Sequence, residues 1–204
     1  GFWTGHSLTP VFAQSRNTSE KINFASIGVG GKGSSDSGDA NKHGNMVAIC
    51  DIDEKRLEKA GELYPDAKKF VDYREMLAEM GDKVDAVTVS TPDHHHYHAS
   101  AFAMESGKHV YCQKPLTHGI WEARSLNQIA ARTGVKTQMG NQAHANDPMR
   151  RCVELIRAGV IGKVKEIHAW TNRPIWPQGF SKPPITEDIP DGLDWDQWIG
   201  PAPW

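Results

Sequence analysis

From Lys21 onward the chain alternates short apolar runs with longer amphipathic stretches. Ile22-Asn23-Phe24-Ala25-Ser26-Ile27 reads as a buried strand running into glycines, and Met46-Val47-Ala48-Ile49-Cys50 as a second strand ending at Asp51. Glu54 to Leu63 spaces apolar and charged residues like a helix. Asp53 precedes it, where a short carboxylate can take the free N–H groups of the first turn. Lys69-Phe70-Val71 is a short third strand, with Asp72 capping a helix around Tyr73–Met80. Val84 to Val89 is a fourth strand, followed by Thr91-Pro92-Asp93 and a helix to Ser106. His109 to Cys112 is the fifth, Thr117 caps a helix to about Thr133, and Val135 to Met139 is the sixth. Strands separated by helical patterns need crossover connections, which predicts an α/β fold: a doubly wound parallel (Rossmann) sheet of about six strands.

After Asn141 the rhythm changes. Pro148 to Ala158 predicts a helix with Val153, Leu155 and Ile156 as its apolar residues, closed by Gly159. Val164, Glu166, His168 and Trp170 then alternate with Lys165, Ile167 and Ala169, the pattern of a first strand in a half-exposed sheet. The expected division is a flexible arm over 1–20, the Rossmann domain over 21–143, and over 144–204 the incomplete start of a second, α+β domain.

Composition refines this picture. Apolar residues make up 38% and charged residues 24%, a globular balance. No run approaches the ~18 apolar residues of a membrane span. A net charge of −2 gives no basic field for nucleic acid or an anionic membrane. Cys50, Cys112 and Cys152 are too few and scattered for a disulfide scaffold. Five tryptophans (Trp170, Trp176, Trp195, Trp198, Trp204) and seven prolines (Pro174, Pro177, Pro183, Pro184, Pro190, Pro201, Pro203) crowd the last 35 residues. Proline at that density argues against regular helix there, and the tryptophans want a surface to cover. Val11-Phe12-Ala13 before Gln14 has the small residues of a signal-peptidase site. Residues 1–20 therefore read as the remnant of an export signal, placing the protein in the periplasm, or as an arm of a cytoplasmic protein.

The strongest chemical motif is Gly28-Val29-Gly30-Gly31-Lys32-Gly33, a GxGxxG between the first strand and a helix. The first glycine (Gly28) permits the tight turn and the second (Gly30) lets backbone approach a pyrophosphate. The third (Gly33) allows close helix–strand packing, and the helix N-terminus supplies amide donors. Asp51, 23 residues after Gly28, stands where a carboxylate can accept both hydroxyls of a ribose. A 2′-phosphate would meet its charge, so NAD is favoured over NADP, while Lys55 and Arg56 nearby leave NADP open. Thr91-Pro92-Asp93-His94-His95-His96-Tyr97-His98 follows the fourth strand, on the edge where such sheets bind ligands. His94 and His98 would share a helix face, but no carboxylate or cysteine completes a metal site, so none is expected. Cys112-Gln113-Lys114-Pro115 places a lysine at the end of the fifth strand, where it could donate a proton or orient a substrate hydroxyl.

Taken together, these motifs resemble the glucose–fructose oxidoreductase / inositol dehydrogenase family of NAD(P)-dependent sugar oxidoreductases. The matching residues are the glycines at 28–33, Asp51, Thr91-Pro92 with His96, and Gly107-Lys108-His109-Val110 running into Lys114-Pro115. Leu155 to Val164 resembles the family's passage into its second domain, and Asp194 to Pro203 a segment of its exported members. The resemblance implies that Gly28, Gly30, Gly31, Gly33 and Asp51 hold the adenosine and pyrophosphate of NAD. Thr91, Pro92 and His96 would line the ribose and nicotinamide side, with Asn141 near the nicotinamide. Lys114 would hydrogen-bond the hydroxyl being oxidised. The family usually carries Glu-Lys-Pro where this chain has Gln113, which can bind a ribose hydroxyl but cannot act as an acid or base. The family's second domain also carries an Asp-x-x-x-His pair; after residue 164 the only histidine is His168.

The implied activity is hydride transfer between a sugar, cyclitol or related polyol and nicotinamide, with the 204-residue chain inactive alone and homo-oligomeric in its full-length form. An NAD-dependent glycosidase using transient sugar oxidation would share every motif. A non-catalytic NAD-binding module is the third reading.

Overall fold

The computed structural model describes residues 21–173, Gly179 and residues 186–202. Its elements follow the order β1 (Ile22–Ile27), α1 (Lys32–His43), β2 (Gly44–Cys50), α2 (Glu54–Leu63), β3 (Lys68–Phe70), α3 (Tyr73–Met80), β4 (Ala86–Val89), α4 (Asp93–Glu105), β5 (His109–Gln113), α5 (Ile120–Thr133) and β6 (Thr137–Gly140). All six strands are parallel, in the order β3-β2-β1-β4-β5-β6. The chain starts at the centre and winds outward both ways. Loops leaving β1 and β4 therefore diverge at the carboxyl edge and open a crevice, the switch point of a doubly wound sheet.

Local chemistry sets the element ends. Asp53 accepts the N–H groups of Lys55 (3.0 Å) and Arg56 (3.3 Å), and Asp72 that of Arg74 (2.8 Å). Each such cap stabilises its helix by about 1 kcal/mol. The start of α5 corrects the expectation for Thr117. Gly119 holds the N-cap, and the Glu122 carboxylate folds back onto the N–H groups of Gly119 (2.8 Å) and His118 (3.0 Å), while the Thr117 hydroxyl donates to the Gly119 carbonyl.

One core cluster lies between the sheet and α3, α4 and α5, around Met76, Ala99, Met104, Leu126 and Ile129. A second, around Ile49, Leu57, Ala60 and Tyr64, lies on the α2 face. Burial pushes the Cys50 thiol up, and that of Cys112 to about 11, so neither is a ready nucleophile. Helix α1 has no large apolar residue; Gly33, Asp36 and Ser37 face the sheet, so it approaches on small side chains.

Beyond β6 the structure departs from the pattern. Helix α6 (Asp147–Arg157) forms behind its Asn146 cap but buries no residue; Val153, Leu155 and Ile156 stay exposed. Val164 to Trp170 forms no strand: no described strand lies beside it to accept its backbone bonds, and Ile167 and Trp170 are each 87% exposed. The residues described after 144 thus hold helices and no strand. The proline-rich end does contain a helix, α7 (Trp195–Ile199), because Pro190 and Pro201 fall outside it and Asp194 caps it through the Gln197 N–H. Pro174, Trp176, Pro177, Pro183, Pro184, Pro203, Trp204 and the Val11-Phe12-Ala13 site lie outside the described residues. Among the described residues no helix is long and apolar enough to cross a membrane.

Candidate functional site

The carboxyl ends of β1, β2 and β4 meet around the glycine loop. Gly28 donates its N–H to the Cys50 carbonyl (2.8 Å) with φ +79°, so the chain turns in the left-handed region directly after β1. A Cβ on Gly28 would stand 2.8 Å from the Ser90 carbonyl oxygen, and one on Gly33 would overlap the carbonyl oxygen of Gly28. These glycines are required by close backbone approach. Gly31 (φ +52°) has open space where a Cβ would point, and Gly30 faces the Arg56 side chain.

Asp51 is bound more tightly than the sequence suggests. Oδ2 accepts the N–H groups of Val29 (2.9 Å) and Gly30 (3.3 Å), and Oδ1 that of Asp53 (3.0 Å). The carboxylate therefore ties the glycine loop to the end of β2 and uses three of its roughly four acceptor positions on the protein itself. Oδ1, with one bond, is the oxygen with capacity to spare.

A cleft of about 630 Å³ opens beside this loop, lined among others by Gly28, Gly30, Asp51, Arg56, Thr91 and Pro92. That size suits a small ligand or cofactor. Two buried polar atoms at its wall, Thr91 Oγ1 and His98 Nδ1, have no hydrogen-bond partner in the structure. Such atoms are costly to leave unpaired, and a polar ligand would satisfy them.

Sequence reasoning missed the opposite wall. The stretch 190–201 lies along the cleft through Pro190, Leu193, Gln197 and Trp198. Glu54 N–H bonds the Gly192 carbonyl (3.0 Å) and Asp194 N–H the Ile52 carbonyl (3.0 Å), with an antiparallel bridge between Asp53 and Leu193. At the far end His94 Nε2 (2.7 Å) and His95 Nε2 (3.0 Å) both meet the Trp198 carbonyl. Trp195 stacks on Trp198 with centroids 4.8 Å apart, and the Trp198 ring meets His94 edge-on. Burial holds the His95 imidazole below its ordinary range, opposed by its bond to the Trp198 carbonyl. No spacing motif announces this contact; the only signal was the tryptophans' need for a surface.

His96 does not line the cleft. It is 1% exposed, and its two ring nitrogens meet the carbonyls of Thr91 (2.8 Å) and Pro115 (2.5 Å). In this structure the ring joins the loop after β4 to the loop after β5. Gln113 is also buried, donating from Nε2 to Asp36 Oδ2 (2.9 Å) and accepting the Lys114 N–H at Oε1 (3.3 Å). Lys114 is exposed at the start of a cis Lys114–Pro115 peptide. Asn141, half-buried, directly follows β6. Gln113, Lys114 and Asn141 sit at the β5–β6 side of the edge and do not line the main cleft. Asp36 belongs to this group although no sequence motif marked it.

Comparison with known proteins matches residues 22–141 to the oxidoreductase family with an NAD-binding Rossmann fold. An uncharacterised oxidoreductase of Rhizobium meliloti is 31% identical over 122 residues, covering 60% of this chain and 36% of that protein. Inositol 2-dehydrogenase of Rhodococcus erythropolis is 29% identical over 144 residues, 70% of this chain and 41% of that one. The chain therefore spans well under half the length of these relatives. Among solved structures, myo-inositol 2-dehydrogenase of Lactobacillus plantarum superposes with a TM-score of 0.66 at 25% identity, over 71% of this chain and 43% of that one.

Proposed function

Because this chain belongs to the oxidoreductase family with an NAD-binding Rossmann fold, we propose that it forms the cofactor-binding part of an NAD-dependent oxidoreductase acting on a sugar, cyclitol or related polyol. The observation that carries the reading is the cradle at the carboxyl edge, where Gly28 and Gly33 leave no room for a Cβ and Asp51 closes the loop from β2. The division follows the same line, with a cofactor domain over 21–143 and the start of a substrate and oligomerisation domain over 144–204.

The residues present fit NAD. Gly28, Gly30 and Gly31 would lie along its pyrophosphate, with open space at Gly31 and only the flexible Arg56 side chain over Gly30, Asp51 Oδ1 accepts a ribose hydroxyl, and Thr91, whose hydroxyl is unpaired, lines the same cleft. Asp51 disfavours a 2′-phosphate, which makes NADP the weaker ligand. When bound, NAD supplies the hydride acceptor at its nicotinamide ring. Lys114, exposed at the end of β5, orients the substrate hydroxyl by hydrogen bonding. The relatives named as inositol dehydrogenases support a polyol substrate. Export to the periplasm rests on the Val11-Phe12-Ala13 pattern alone.

Calorimetry tests the cofactor assignment. The wild-type chain should bind NAD, and Asp51→Ala should lose about 1.5–3 kcal/mol of binding, the range for a hydrogen bond to a charged group. Unchanged affinity in the variant would remove Asp51 from the site.

A further inference from the structure

Asp36 is a buried acid that no step above uses. It lies on α1, one turn past the glycine loop, and is 6% exposed. Its Oδ2 accepts from the Ser90 hydroxyl (2.7 Å) and from Gln113 Nε2 (2.9 Å), and its Oδ1 lies 2.8 Å from Lys32 Nζ. Ser90 directly follows β4, and Gln113 ends β5. One carboxylate thus gathers the helix after β1 and the ends of β4 and β5, the three segments that carry the glycines, Thr91 and Lys114.

We infer that Asp36 is a positioning residue of the cofactor site, and that it acts on Lys114 through Gln113. The chain of contacts has a fixed polarity. Asp36 as a carboxylate only accepts, so it selects the amide nitrogen of Gln113. That choice turns Oε1 toward the Lys114 backbone, where it accepts the N–H at 3.3 Å. Gln113 has little room to do otherwise: a Cβ at Gly140 would stand 2.7 Å from its Nε2, so the amide packs against bare backbone. A glutamate at 113 would set two carboxylates within hydrogen-bond distance with no proton between them, and like charges at that range repel strongly in a buried site. The negative charge sits on α1 at position 36, and position 113 must supply a donor to it.

The inference rests on the cofactor reading above for its functional meaning, and a charge-exchange cycle tests both separately. Asp36→Asn and Gln113→Glu should each lower the melting temperature by several degrees and weaken NAD binding by about tenfold, the size of one lost charge-assisted bond. The double variant Asp36→Asn/Gln113→Glu restores a donor at 36 facing an acceptor at 113, and should recover most of both losses. Hydrogen exchange at the Lys114 amide should quicken in Asp36→Asn and slow again in the double variant, a response that general loosening of the core would not give. Single variants as stable as wild type, or a double variant no better than the sum of the two, would overturn the inference. Failure of the wild-type chain to bind NAD would instead sink the cofactor reading, while the melting-temperature cycle would still decide the pairing.

Discussion

Two stretches follow the sheet, and each behaves against its own sequence pattern. Residues 164–170 alternate like a strand and form none; residues 190–201 are rich in proline and form a docked helix. The difference is what lies beside them. The first pairs with no strand among the described residues, and Ile167 stays 87% exposed. The second meets the ends of β2 and α4, exchanges backbone bonds with Ile52 and Glu54, and buries Ile199 to 9% exposure. Pattern states what a segment can become; an available partner for its backbone decides whether it does.

Five measurements would sharpen or break this contrast. The largest effect belongs to the glycine loop, across the cleft from the docked segment. Gly33→Ala drives a methyl into the Gly28 carbonyl and should cost about 3 kcal/mol in chemical denaturation, since backbone cannot yield as a side chain can. Ile199→Ala should cost about 2 kcal/mol by emptying a buried site. Ile167→Ala, on the exposed stretch, should fall within about 0.5 kcal/mol of wild type. Equal costs for these two isoleucines would erase the distinction. Trp198→Ala removes the stack on Trp195 and the edge contact with His94, and should loosen the docked end by about 1 kcal/mol, read as faster proteolysis within 190–201.

The smallest effect is pH dependence. His95 is held below its ordinary range by burial, so the released segment binds a proton more readily than the docked one. Docking should be at full strength above about pH 6.5, the unperturbed histidine value, and weaken as pH falls below it. Tryptophan fluorescence of the wild type should follow that direction, and His95→Gln should flatten the response. Docking that strengthens on acidification would contradict the role given to His95.

What was legible in the sequence is the part governed by local rules. Caps at Asp53 and Asp72, six apolar runs and a glycine cluster after the first of them were enough for the sheet and the cradle. Helix α1 was announced only by its start, because a helix that packs on Gly33, Asp36 and Ser37 has no apolar stripe. His96 stands in the loop expected for a ligand contact, while its orientation depends on the Pro115 carbonyl, 19 residues away. Asp51 stands at the end of β2 as its spacing from Gly28 suggests, yet its bonds to Val29 and Gly30 follow from the turn at Gly28 and not from spacing. The wall over 190–201 and the role of Asp36 both rest on contacts between distant segments, which no periodicity encodes.

Hydrogen exchange of the wild-type chain with and without saturating NAD tests the account most directly. Binding in the cleft should slow exchange at Val29 to Gly33 and also along 190–201, which forms the facing wall, and leave 164–173 unchanged. Slowing confined to the glycine loop would remove the docked segment from the site, and no slowing at the glycine loop would contradict the cofactor assignment itself.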